Sequence, residues 1–132
     1  MKTDNVIVNK SFDFAVRIVR LYKHLSDDKR EFVLSKQLIR CGTSIGANVS
    51  EAIRGQSDAD FVSKLSIALK EANETAYRLK LLYRTDYLTE KEYDSISHDA
   101  DEIIAILVSI IKTKNNTYNS EFIIHNSELK RR

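Results

Sequence analysis

The residues of this chain whose types and spacing could do chemistry form three groups. Gly42-Thr43-Ser44-Ile45-Gly46 has the G-x-S-x-G spacing of a nucleophile elbow. That motif works where a strand turns sharply into a helix and presents the serine to a histidine and an acid. Here it lies inside an apolar seam of helical period (Leu38, Cys41, Ile45, Val49), so Ser44 reads as an ordinary helical residue. His24, His98 and His125 are scattered over a helix end, an acidic helix start and the tail. The chain has no Glu-x-x-His pair for a di-iron bundle site, no Cys/His cluster with zinc spacing and no glycine-rich phosphate loop. No catalytic residue, metal ligand or cofactor is expected.

The third group is polar. Gln37, Arg40, Ser44, Asn48 and Glu51 follow helical spacing beside the apolar seam. Lys64, Glu71 and Arg78 recur at heptad intervals further on, with Glu74 nearby. Charges this close to a core should be paired, because an isolated buried charge costs several kcal/mol. Three readings stay open. Gln37, Ser44, Asn48, Glu51, Glu71 and Glu74 could join an interhelical network that fixes register. Arg40, Arg54, Lys64 and Arg78 could instead form a phosphate-binding face, or the set could make a polar contact between subunits.

Four helices are expected to position these groups. The first runs from a Ser11 N-cap to about Leu25, with Phe12, Ala15, Ile18, Val19, Tyr22 and Leu25 on its inner face. Ser26 to Glu31 forms the turn, and Phe32-Val33-Leu34 folds back over the bundle end. Ser35 caps a second helix reaching about Arg54, where Gly55 fits a stop. Ser57 with Asp60 opens a third helix that ends near Asp86. Thr89 with Glu92 is a full capping box for the fourth, which carries Tyr93, Ile96, Ala100, Ile103, Leu107 and Ile110, with Lys112 and Lys114 at its negative end.

Short connections force an all-α, antiparallel up-down-up-down bundle over residues 1–114. Asn115 to Ser120 reads as a polar linker, and 115–132 as a tail whose Phe122-Ile123-Ile124 could dock on a neighbouring subunit.

Composition agrees with this organisation. The 132 residues contain no Pro and three Gly, and are enough for one domain with its own core. The lone Cys41 reads as a small buried hydrophobe. No secretory segment and no apolar run of ~18 residues is present, so a cytoplasmic protein away from membranes is expected. The net charge is +2, unevenly spread. Residues 1–85 hold fifteen Lys or Arg against ten acids, residues 86–105 seven acids against Lys91 alone, and residues 106–132 five bases against two acids. Acids at a helix start also complement its dipole.

Two features point to self-association. Ile104, Ile106 and Ile111 add apolar surface to the fourth helix beyond its core stripe, as Val62 and Ile67 do on the third. Gly42 and Gly46 lie mid-helix, where each costs about 1 kcal/mol against Ala. Either another helix approaches there or a local weakness is tolerated. Gly42, Gly46, Ile104, Ile106 and Ile111 are therefore the candidate subunit-interface residues.

The run Ser35 to Ala52 (SKQLIRCGTSIGANVSEA) resembles the signature of the four helix bundle proteins encoded by intervening sequences of bacterial large-subunit rRNA genes, which also carry a ribosomal-protein-like label. The likeness continues through Gln56-Ser57, Asp60-Phe61, Lys64-Leu65, Ile67 to Ala72, Glu74-Thr75 and Tyr77, and so covers helices two and three. The family is related to the accessory variability protein of diversity-generating retroelements. That relation implies a homopentamer that binds nucleic acid and a reverse transcriptase. Relatives of that type are strongly basic, and many members place a Trp where Arg78 stands here. A pentamer would raise the net charge to about +10 and could concentrate it on one face. The expected function is a non-enzymatic, homo-oligomeric accessory protein for RNA or DNA. The alternative is a protein-interaction scaffold whose partner meets the acidic start of helix four.

Overall fold

A computed structural model describes the backbone of residues 2–130 and the side chains of residues 6–117. The described residues form α1 (Lys2–Asp27), α2 (Leu34–Ile53), α3 (Asp58–Arg84) and α4 (Glu90–Lys130). No strand occurs among them. No helix among them is long and apolar enough to cross a membrane.

Cross-helix contacts give the direction of every neighbouring pair. Gly42 and Gly46 lie against Ile18 and Ser11. Gln37 meets Arg78 while Glu51 meets Lys64. Tyr83 stacks on Tyr93, with ring centroids 4.6 Å apart, while Phe61 lies under Lys114. Lys10 meets Glu102 while Arg17 meets Asp99. In each pair the numbers rise on one helix as they fall on the other, so neighbours are antiparallel and the ring closes from α4 back to α1.

The core is aliphatic, with Ile18, Leu38, Ile45, Val49, Leu65, Leu79, Leu82, Ile103 and Leu107 all essentially inaccessible to solvent. Burial of apolar side chains on this scale is the main force holding the four helices together.

Helix starts and stops explain where the connections fall. Glu31, not Ser35, caps α2. Its carboxylate accepts from the backbone N–H of Val33, Leu34 and Ser35 at 3.1, 2.9 and 2.7 Å, satisfying donors that a helix start leaves open. Burial opposes the Glu31 charge, but the backbone donors from Leu34, Ser35 and Val33 outweigh it and hold the carboxyl below its ordinary pKa. Ser35 is buried inside the first turn and donates to the Glu31 carbonyl. Phe32 and Val33 stay largely exposed, so only Leu34 of the apolar triplet folds onto the core.

Ser57 caps α3 by accepting from the Asp60 N–H. Asp86 turns into the left-handed region (φ 72°) and ends α3, with the Tyr87 N–H donating to the Leu82 carbonyl. The capping box of α4 forms as expected: the Glu92 N–H donates to Thr89 Oγ1 and the Thr89 N–H to Glu92 Oε1, at 3.1 and 2.8 Å.

Two boundaries differ from expectation. Helix α1 begins at Lys2, and Ser11 is no cap but an internal residue whose hydroxyl donates to the Val8 carbonyl. The inner face of α1 therefore starts earlier, at Ile7, and runs through Ser11, Phe14, Ile18 and Leu25, leaving Phe12 67% exposed. Helix α4 does not stop near Lys114. Its backbone stays helical through the polar 115–120 stretch to Lys130, roughly 24 Å of additional helix at the standard rise. The side chains of Phe122 to Ile124 lie outside the described residues.

Candidate nucleic-acid interface

The polar residues flagged on α2 and α3 converge on one seam. Arg40 of α2 reaches across to both Glu71 and Glu74 of α3, 3.4 Å from Glu71. These carboxylates, Glu74 ahead of Glu71, raise the Arg40 pKa above its ordinary value, and the guanidinium stays charged. Arg78 donates to Gln37 Oε1 at 2.7 Å and lies 3.6 Å from Glu74 one turn earlier. Lys64 pairs with Glu51 at 3.0 Å. Asn48 turns back along α2 and donates to the Ser44 carbonyl and hydroxyl.

Four of the six expected network residues, Gln37, Glu51, Glu71 and Glu74, bond across to the facing helix, whereas Ser44 and Asn48 bond each other within α2; three of the four candidate phosphate ligands are neutralised within the chain. Arg54 stands apart. It is exposed at the α2 C-cap and makes no ion pair among the described residues. The sequence pattern places these residues on facing stripes, and the structure spends most of their charge on each other.

Ser44 lies inside α2, and its hydroxyl accepts from Asn48 one turn later. Burial pushes the Cys41 thiol above its ordinary pKa, so this cysteine is an inert core residue. Among the described residues no three His, Cys, Asp or Glu side chains converge as metal ligands. The clefts are open and mixed in character. One of about 470 Å³ between α1 and α4 includes Arg17, Arg20, His24, Glu92 and Ser95; another of about 410 Å³ sits at the α2–α3 turn beside Phe61 and Lys114.

The residues expected at a subunit interface have neighbours within this chain. Gly42 is buried, and a Cβ there would sit 2.8 Å from Ile18; at Gly46 it would lie 3.3 Å from the Ser11 carbonyl. The helix that closes on the glycines is α1 of the same chain, so they serve the α1–α2 contact. Ile104, Ile106 and Ile111 are half-buried and pack against this chain's own core. The large apolar side chains left most open are Phe12 and Val33, both 67% exposed, with Val108 at 45%.

A stripe that the sequence reading passed over lies on the outer side of α3. Lys70, Asn73, Tyr77, Lys80 and Arg84 are all exposed there, opposite the buried Leu65, Ala68, Ala72, Leu79 and Leu82. Its signal was present as spacings of three and four residues, the same period that marks the core.

What fold and site define together is a helical bundle whose described polar residues tie helices to one another. The chain belongs to the 23S rRNA-intervening sequence protein family, whose model matches residues 3–109. It is similar to a solved protein of unknown function from the S23 ribosomal protein family of Bacteroides thetaiotaomicron VPI-5482. The two are 60% identical, with a TM-score of 0.82 over 83% of this chain and 98% of that one. No curated protein matches the chain.

Proposed function

We propose that this protein is a non-enzymatic, self-associating helical bundle that binds nucleic acid through its α2–α3 side. One observation carries the reading: the bundle is electrically polarised. Between residues 34 and 84 eight Lys or Arg face five Asp or Glu, whereas α4 holds eight acids against four lysines. Glu51, Glu71 and Glu74 each take a cation of the α2–α3 seam, and Asp58 lies near Lys114. Lys36, Arg54, Lys70, Lys80 and Arg84 remain outside any ion pair among the described residues. A surplus on one side attracts polyanions far better than the same charge spread evenly.

The family description, which links these proteins to an intervening sequence of 23S rRNA, fits a nucleic-acid setting. Exposed Phe12 and Val108 support association with further copies, which would multiply the basic side. A pentamer and a reverse-transcriptase partner belong to the same proposal, through the resemblance to the retroelement accessory protein.

The test is titration of labelled single-stranded RNA and DNA with the intact chain across a salt series, with native mass spectrometry for subunit number. Binding that weakens steeply with salt is expected, and absence of binding at ~50 mM salt, where phosphate contacts are strongest, rejects the proposal. A second reading rests on the acids of α4, of which Glu90, Asp94 and Asp101 are exposed. That surface suits a basic protein partner, and capture of one protein that survives nuclease treatment would favour it.

A further inference from the structure

We infer that the outer stripe of α3 is a track for single-stranded nucleic acid, with Lys70, Lys80 and Arg84 holding phosphates and Tyr77 offering a stacking face. This rests on the nucleic-acid reading above and adds the surface and the strand form. Four observations combine. At 100° per residue Lys70, Asn73, Tyr77, Lys80 and Arg84 fall within about 80° of one another on the helix, opposite its buried face. No carboxylate lies on the stripe: Glu71 and Glu74 are turned to the α2 side and held by Arg40 and Arg78. The three cations make no ion pair among the described residues, unlike Arg40, Lys64 and Arg78. Tyr77 is 64% exposed, with cations before and after it on the same stripe.

Cations flanking an exposed aromatic ring are what a flexible strand requires: charge to follow the backbone and a flat apolar face to take an unpaired base. A duplex keeps its bases stacked inward and could use the cations but not the ring. From Lys70 to Arg84 the helix spans roughly 21 Å, room for about six nucleotides at the spacing of a stacked strand. Asn73 adds an amide beside the ring, suited to a base edge or sugar hydroxyl.

The experiment uses the intact chain and fluorescein-labelled RNA of ~20 nucleotides, single-stranded or annealed to its complement, at several salt concentrations. The combined variant Lys70→Ala, Lys80→Ala, Arg84→Ala should bind the single strand at least tenfold more weakly, with its log–log salt slope reduced by about 2. Tyr77→Ala should weaken single-strand binding roughly five- to hundredfold with the slope unchanged, and Tyr77→Phe should restore it. Thermal melting by circular dichroism checks that these exposed substitutions leave the fold intact.

If the unaltered chain binds no nucleic acid at low salt, the proposed function fails and this inference fails with it. If it binds but the triple variant keeps its affinity and slope, only the placement on α3 is overturned. Duplex bound more tightly than single strand overturns the stacking role. A changed subunit number without lost binding reassigns the stripe to contact between copies and equally overturns the track.

Discussion

The α2–α3 and α1–α4 seams close the same bundle by different means. Between α2 and α3 the helices meet along their whole length. Aliphatic side chains fill the centre, and the rim carboxylates of Glu71 and Glu74 are only 17% and 33% exposed, beneath an Arg40 that is itself 57% exposed. Arg40 and Arg78 share Glu74, so the rim is a network rather than a set of pairs. Helices α1 and α4 approach each other less closely than any other neighbours. There Arg17 reaches Asp99 at 2.5 Å and Ser95 Oγ at 2.9 Å, and Lys10 meets Glu102, with all four charged side chains 37–44% exposed. Clefts of about 210 and 470 Å³ open on either side of the Arg17 pair. A charged residue near a helix seam is therefore available to a partner only where its own seam has not taken it, and on α2–α3 the seam has.

The largest expected contrast lies in the core behind each seam. Leu79 of α3 is fully enclosed, and Leu79→Ala should cost about 4–5 kcal/mol because close-packed neighbours cannot collapse into the gap. Ile103 of α4 is equally buried but lines the smaller α1–α4 cleft, where relaxation is easier, so Ile103→Ala should cost about 2–3 kcal/mol. Urea unfolding of both variants decides the matter, and equal losses would erase the distinction between the seams.

The next effect concerns the turn that delivers α2 to its seam. Glu31→Gln should cost about 1–3 kcal/mol at neutral pH, because one amide cannot replace a carboxylate accepting three backbone N–H groups. The folded pKa of Glu31 lies below its unfolded value, so its contribution is complete above about pH 4.5 and disappears as pH falls through the folded pKa. The unaltered chain should lose stability over that acid range more steeply than Glu31→Gln. Parallel pH–stability curves would remove Glu31 as the acid-sensitive cap.

The four helices and the antiparallel order were legible because aliphatic residues recur at helical spacing and the connections are too short to cross the bundle. The errors on α1 share one cause. Serine is a favoured cap, but inside a helix its hydroxyl can return to a carbonyl a turn earlier, as Ser11 does. Starting the helix at Ser11 hid Ile7 and made Phe12 look internal, although the row Ile7, Ser11, Phe14, Ile18, Leu25 stands in the sequence. The continuation of α4 had its own signal, since residues 115–130 contain no Gly or Pro to halt propagation. Facing stripes showed that Arg40, Lys64 and Arg78 lay near acids. Which acid each would take depends on the relative register of α2 and α3, and one helix at a time does not encode that.

The smallest effect tests the rims themselves. For Arg17 and Asp99, removing each side chain alone and both together should give a coupling of about 0.2–1 kcal/mol that shrinks as salt is added, because both groups face water. The same cycle on Arg78 and Gln37 should give a larger coupling that salt barely alters. Arg78 is only 22% exposed, and its hydrogen bond to Gln37 needs no second charge to be screened. Removing Gln37 takes the short hydrogen bond from a guanidinium whose Nε already lacks a partner and leaves it Glu74 at 3.6 Å, so that single variant should lose more than the loss of Asp99 does. A salt-sensitive coupling at Arg78 would mean that this inner stretch of the α2–α3 rim is as open to solvent as the α1–α4 rim. Its cations would then be free for a polyanion, and the division of labour between seam and outer stripe on α3 would have to be redrawn.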